Sequence, residues 1–286
     1  MEIVPSEATL GASIYGVNLH QLDDRTGKRI IEAWHEYGVL AFPEQHLDDE
    51  AHIAFSRRFG HLERLLTTAI EGTKPEIFRV ANVRPDGTRD SAGGLYDALN
   101  RGNRQWHSDS SYKRITSKAS ALRAHTLPSS GGETQFADMR AAYDALDTAR
   151  KDWLADKLVV HDFAYSHGKS ADLMTAAERA ALPPVAHPIV RIHEETGRKS
   201  LFVGRHASHI VGEDVERSRS LLRELTAGAC QPPRIFTHRW QVGDLVIWDN
   251  RCVLHRGRPW PPDEPRILFR TTVACDDPDN EWQLSR

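Results

Sequence analysis

The sequence predicts a mainly β fold with inserted helices, of the sandwich or jelly-roll kind. Two observations predict it. Short apolar runs closed by Gly or Pro recur in both halves of the chain, and helical periodicity is confined to a few stretches between them. A third fits the same architecture: the side chains with metal-binding chemistry lie far apart in sequence, and a barrel interior can collect ligands from distant segments.

In chain order, residues 10–19 alternate loosely as a short strand. Asp23 or Asp24 caps a helix running to about Tyr37, with Ile30, Ile31 and Trp34 inward and Gly38 as its stop. Val39–Phe42 reads as a compact strand ended by Pro43, and Asp48–Phe59 as a second helix ended by Gly60. From about Leu62 to Arg104 the pattern dissolves into Gly, Thr and charge, with a strand only over Glu76–Val83. A long irregular segment in a compact domain is a functional loop or a disordered one. Because this one runs into His107, the expectation is an active-site lid over 62–104, against a plain surface loop.

Lys118–Leu127 and Glu133–Asp138 read as strands separated by a Pro-Ser-Ser-Gly-Gly turn, and Arg140–Val160 carries helical periodicity. Residues 161–188 resist assignment. Pro188–His193 and Lys199–Val203 form a hairpin, Glu213–Ala229 a helix, and Arg234–Trp240, Asp244–Trp248 and Arg266–Val273 three more strands.

The chain has 286 residues, 40% hydrophobic and 27% charged, a length that suits one elaborated β domain as well as two smaller ones. A net charge of −3 with interspersed signs gives no nucleic-acid footprint. No apolar run reaches the roughly 18–20 residues that span a bilayer. Met1–Pro5 lacks a basic and apolar leader, and Cys230, Cys252 and Cys275 are odd in number and widely spaced. A cytoplasmic protein with reduced thiols is expected.

The stretch around which the chemistry is organised is Gln105–Tyr112. In an extended segment residues i and i+2 face one side, so His107 and Asp109 can reach one metal ion. Fifteen histidines make a chance His-x-Asp common, so a third ligand is required. His255 supplies it, after an apolar run and a turn-like Asp249-Asn250. Two His and one carboxylate form the facial triad that leaves positions open on Fe(II). A second informative stretch is Arg266–Val273, where a strand period of two puts Arg266, Leu268 and Arg270 on one face. Two guanidiniums among apolar residues are either bridged to protein carboxylates or aimed at two anionic ligands.

Together with Trp106–Ser110, Gly131–Thr134, Asp138–Tyr143, Thr196–Leu201, Trp248–Arg251 and His255-Arg256, these residues make the chain resemble the taurine dioxygenase family of Fe(II)- and 2-oxoglutarate-dependent oxygenases. It resembles in particular the branch acting on phenoxyalkanoates such as 2,4-dichlorophenoxyacetate and dichlorprop. The resemblance covers nearly the whole chain and implies one domain, 1–286, built as a double-stranded β-helix (a jelly roll). It implies His107, Asp109 and His255 as iron ligands and catalytic centre. Thr134 and Arg266 would bind the distal carboxylate of 2-oxoglutarate, and Arg270 and Asn103 the primary substrate. The implied reaction hydroxylates an aryloxyalkanoate beside its ether oxygen, using O2, with ascorbate as a stimulant, and releases a phenol, an oxo acid, succinate and CO2. A homo-oligomer is also implied.

Three rivals remain. The same chemistry could act on a sulfonate, an alkyl sulfate or another small organic acid, since an arginine reads an anion and not a ring; Tyr112, His167 and His206 belong to the region that would discriminate. A zinc hydrolase could use the same triad but has no need of paired arginines. A non-catalytic scaffold would tolerate a broken triad, and this one is intact.

Overall fold

A computed structural model describes residues 1–64, 74–88, 100–168 and 180–276. The strands are β1 (Glu2–Pro5), β2 (Ala12–Tyr15), β3 (Val39–Phe42), β4 (Phe78–Ala81), β5 (Ser117–Thr126), β6 (Thr134–Asp138), β7 (Leu158–His161) and β8 (Val185–Pro188). They continue with β9 (Val190–Ile192), β10 (Lys199–Leu201), β11 (Ala207–Ile210), β12 (Ile235–His238), β13 (Leu245–Asp249), β14 (Val253–Gly257) and β15 (Ile267–Ala274). The helices are α1 (Asp24–Tyr37), α2 (Asp49–Ser56), α3 (Met139–Asp144), α4 (Thr148–Leu154), α5 (Phe163–His167) and α6 (Val215–Ala229). The protein is therefore mainly β with inserted helices, as its sequence predicts.

Among the described residues the main sheet has seven strands in the order β1-β2-β3-β13-β5-β15-β4, and a three-stranded sheet runs β12-β6-β14. Two smaller sheets, β11-β7-β8 and β10-β9, complete the β structure. Neighbours in the main sheet come from opposite ends of the chain: β13 pairs with both β3 and β5, and β5 pairs with β15. Those pairings explain why distant residues meet.

Local chemistry sets the helix ends. Asp23 accepts from the Thr26 amide at 2.9 Å, and Gly38, at φ 71°, donates its N–H to Trp34 as the left-handed stop of α1. Ile30, Ala33 and Trp34 of α1 are buried in one core with Phe55 and Phe59. Trp34 packs edge-on to Phe59 at 5.1 Å, and an aromatic of that size contributes about 2–3 kcal/mol by burial.

The helix expected over Arg140–Val160 is two short helices and a strand. Asp138 caps α3, Asp147 caps α4 by accepting from the Arg150 amide at 2.7 Å, and each new cap restarts the chain direction. Leu158–His161 then joins β8 and β11 as a strand, because its β-branched Val159 and Val160 pack better on a sheet. The strand β1, paired to β2, carries no alternation that sequence reasoning could use: its residues are exposed or half-buried. Of the expected lid, residues 65–73 and 89–99 lie outside the described residues; the rest holds β4 and a helical turn at residues 100–103. No helix among the described residues is long and apolar enough to cross a membrane.

Candidate metal centre

His255 sits in the middle of β14, opposite Phe136 of β6. His107 lies outside any named strand but forms an isolated antiparallel bridge with it. The His107 N–H donates to the His255 carbonyl at 3.0 Å, and the His255 N–H returns the bond at 2.8 Å. The two rings stand 4.2 Å apart between centroids. The extended segment expected through Asp109 is replaced by this single bridge followed by a turn, with Ser110 at φ 52°. The turn still delivers Asp109: ligand atoms of His107, Asp109 and His255 all lie within 4.8 Å of one another, and all three residues are buried.

The electrostatics suit a cation. Burial, with His255 and Arg205 nearby, pushes the His107 imidazole well below its ordinary range, and burial with Arg270 pushes His255 down to about 4. Both rings are neutral at pH 7 and keep a lone pair for a metal. Burial alone would raise the Asp109 carboxyl, but Arg270, His255 and His107 outweigh it and hold it below the usual carboxylate range. His107 Nδ1 is 2.8 Å from the Gln105 carbonyl, which can only accept, so Nε2 is left for coordination. The Nδ1 of His255 is buried without a hydrogen-bond partner. Two neutral nitrogens and one carboxylate oxygen are a donor set that fits a divalent first-row metal with positions to spare.

Two cavities open from this triad. One is lined by Asn103, His107, Thr134, His255, Trp260 and Arg266. Arg266 is 5% exposed, and its Nε and Nη2 donate to the Gly132 carbonyl at 3.1 and 2.9 Å. Among the described residues no carboxylate forms an ion pair with it. Burial lowers it to about 10, so it remains a cation. Thr134 Oγ1 accepts from the Trp240 indole at 3.0 Å, which leaves the hydroxyl proton free for an acceptor in the cavity.

The other cavity, about 330 Å³, is lined by Phe78, Asn103, Tyr112, Phe163, His167, Arg205 and His206 with Arg270. Tyr112 packs on Phe163 and His206 at 4.7 and 4.8 Å. Arg270 lines both cavities, as a position on the Arg266 face should, yet its Nη1 donates to Asp109 Oδ1 at 2.6 Å. Of the two alternatives the strand left open, Arg266 answers to the free guanidinium and Arg270 to the bridged one.

Sequence reasoning missed Ser120 and Trp240, which hydrogen-bond Asp109 and Thr134. It also missed the roles of Asn250, which accepts from the Asp109 backbone N–H, and of the Gly132 carbonyl, which accepts from Arg266. Ser120 and Trp240 lie in no motif, whereas Asn250 and Gly132 fall in stretches the sequence marks without showing what they bond. A second buried group, His193, Asp249 and Cys252, also has ligand-type atoms in proximity. There Arg251 takes both Asp249 oxygens and His193 takes one at 2.9 Å, so the carboxylate is already satisfied as a protein ion pair.

Residues 2–272 match the family described as taurine catabolism dioxygenase TauD, TfdA family. The chain belongs to that family. A relative from Sphingobium herbicidovorans, an (S)-phenoxypropionate/alpha-ketoglutarate-dioxygenase, is 42% identical over 99% of this chain and 98% of its own. An alpha-ketoglutarate-dependent 2,4-dichlorophenoxyacetate dioxygenase from a Burkholderia species is 43% identical over 82% of this chain and 81% of its own. Among solved structures, AAD-2 in complex with Mn(II) and N-oxalylglycine superimposes with a TM-score of 0.90 at 35% identity, covering 97% of this chain and 99% of that one.

Proposed function

We propose that the protein is an Fe(II)- and 2-oxoglutarate-dependent dioxygenase that hydroxylates an aryloxyalkanoate next to its ether oxygen, giving a phenol and an oxo acid beside succinate and CO2. The observation that carries this reading is the buried His107–Asp109–His255 cluster facing, across one cavity, an arginine with no carboxylate partner among the described residues. The relatives named above, which act on phenoxypropionate and 2,4-dichlorophenoxyacetate, support the substrate class. The sheets are read as a double-stranded β-helix in a single domain, 1–286, with a lid over 62–104, in a cytoplasmic homo-oligomer.

In this reading His107, Asp109 and His255 hold the metal. Bound Fe(II) with 2-oxoglutarate would supply the oxidising power, drawn from O2, for hydroxylating the C–H bond beside the ether oxygen, and ascorbate would keep the iron reduced. Everything else is done by the chain. Arg266 presents its guanidinium to the distal carboxylate of 2-oxoglutarate while Gly132 holds it from behind, and Thr134 adds the hydroxyl proton that Trp240 leaves free. Arg270 and Asn103 border both cavities, placed to orient an anionic substrate beside the metal. Tyr112, Phe163 and His206 form an aromatic wall that suits a flat ring.

The test is succinate formation with Fe(II), 2-oxoglutarate, O2 and ascorbate over a panel of acids: 2,4-dichlorophenoxyacetate, both dichlorprop enantiomers, taurine and an alkyl sulfate. Succinate matched by phenol release from a phenoxy acid is the expected result. Succinate stimulated only by taurine or the sulfate would keep the reaction type and discard the substrate class. No iron-dependent turnover with any acid would overturn the reading.

A further inference from the structure

We infer that Ser120, locked by Asn250, is a positioning residue for the metal: its hydroxyl proton is committed to Asp109 and fixes the pose in which that carboxylate meets the ion. The inference rests on the metal reading above. Asn250 stands in the Trp248-Asp249-Asn250-Arg251 stretch that the sequence singles out, and the reaction has no task for it.

Asn250 is 1% exposed and nearly every polar atom it has is engaged. One atom of its amide group receives the Trp248 indole N–H at 3.0 Å and the Asp109 backbone N–H at 3.2 Å. Two donors converge there, so that atom must be the oxygen, and the amide orientation is fixed by the network. The nitrogen is then the atom 3.0 Å from Ser120 Oγ, and it donates. With an incoming bond on Oγ, the Ser120 hydroxyl sends its proton to Asp109 Oδ2 at 2.7 Å. Ser120 is fully buried on β5, so no solvent competes for that proton.

The backbone of Asn250 ties the same unit together. Its N–H donates to the Lys118 carbonyl at 2.9 Å, and its carbonyl accepts from Ser108 Oγ at 2.8 Å. The turn that carries Asp109 is thereby fixed to the strand that carries Ser120. A terminal carboxylate torsion is broad and has no strong rotamer of its own, so its plane must be set from outside. Ser120 on Oδ2 and Arg270 Nη1 on Oδ1, at 2.6 Å, are the two bonds that set it. The Arg270 bond comes from a side chain bordering both cavities, whereas the Ser120 bond comes from the closed core. The core side is the one that keeps the carboxylate aimed when ligands enter and leave.

The experiment is a Mn(II) titration of the full chain without 2-oxoglutarate or O2, read by the paramagnetic resonance signal of free and bound ion, alongside metal-free thermal melting. The expected loss of Mn(II) affinity in Ser120→Ala is roughly 10–100-fold, the usual effect of removing a hydrogen-bond partner of a metal ligand. Ser120→Thr, which keeps the hydroxyl, should restore most of that affinity. If Ser120→Ala does not fold, Ser120→Cys, a weak donor, is read in its place with the same expectation. Wild-type affinity in Ser120→Ala, or a Ser120→Thr that folds as the wild type yet binds no better than Ser120→Ala, overturns the inference while the metal reading stands. No Mn(II) binding by the wild type overturns both.

Discussion

Arg270 Nη1 lies 2.6 Å from Asp109 Oδ1, so the metal-binding carboxylate shares its charge with a side chain of the cavity wall. The pair is mostly shielded, with side-chain exposures of 23% and 7%. A divalent cation in the triad would compete for the same negative charge. Metal binding and the freedom of Arg270 to meet a substrate anion are therefore linked.

Arg270→Ala should consequently do two things. It should destabilise the metal-free protein by about 2 kcal/mol, the cost of stranding a buried charge discounted for partial solvent access. Mn(II) should then recover more stability in the variant than in the wild type, because the ion takes over the neutralisation. Melting with and without Mn(II) checks this; equal metal-induced shifts would contradict the linkage. The KM for the phenoxy acid should also rise.

Arg266→Ala should raise the KM for 2-oxoglutarate by roughly 10–100-fold, since it removes charge-assisted hydrogen bonds worth about 1.5–3 kcal/mol each. The KM for the primary substrate should barely move. Steady-state kinetics varying each substrate in turn decides the point, and parallel losses in both constants would mean that the two arginines are wrongly assigned.

Trp240→Phe keeps an aromatic ring at this position but deletes the indole donor on Thr134. The freed hydroxyl can then turn away from the cavity. About 1 kcal/mol of hydrogen bonding is at stake, which predicts a roughly fivefold rise in the 2-oxoglutarate KM. An unchanged value would show that Thr134 needs no such support.

The folded protein should lose stability as pH falls below about 6.5, independently of the metal site. His52 is fully buried, its Nε2 3.2 Å from the Ala121 carbonyl, and burial with Arg123 nearby pushes its pKa from 6.5 down to about 3. His161, depressed by burial and by His187, also falls to about 3. For each, the unfolded chain takes up a proton first on acidification, so its contribution is complete above 6.5 and drains away between there and about 3. The slope approaches about 1.4 kcal/mol per pH unit for each group. Calorimetry from pH 7.5 downward should show a shallower decline for His52→Gln than for the wild type; identical slopes would contradict the assignment.

What the sequence disclosed follows from which constraints are local. The cap at Asp23 and the stop at Gly38 are short-range chemistry, and α1 lies where they put it. The spacing of Arg266 and Arg270 is likewise local, and both line one cavity. The fate of each arginine was hidden, because one finds Asp109 across 161 residues and the other finds a backbone carbonyl. Ser120 and Trp240 were invisible for the same reason: a lone hydroxyl or indole shows a role only when its partner is known. Periodicity also failed over Arg140–Val160, where a cap at Asp147 broke a helix that apolar spacing alone would have continued.

The two imidazoles are joined by reciprocal main-chain bonds, so their separation is set by strand pairing and not by the loops that lie between them in sequence. That intervening stretch supplies Tyr112, Phe163, His167, Arg205 and His206 to the cavity wall. Its loops can lengthen, shorten or exchange residues while the rings keep their mutual aim. The molecule is thus divided into a fixed reactive core and a replaceable vestibule, and a lineage could change what it consumes without reinventing how it reacts.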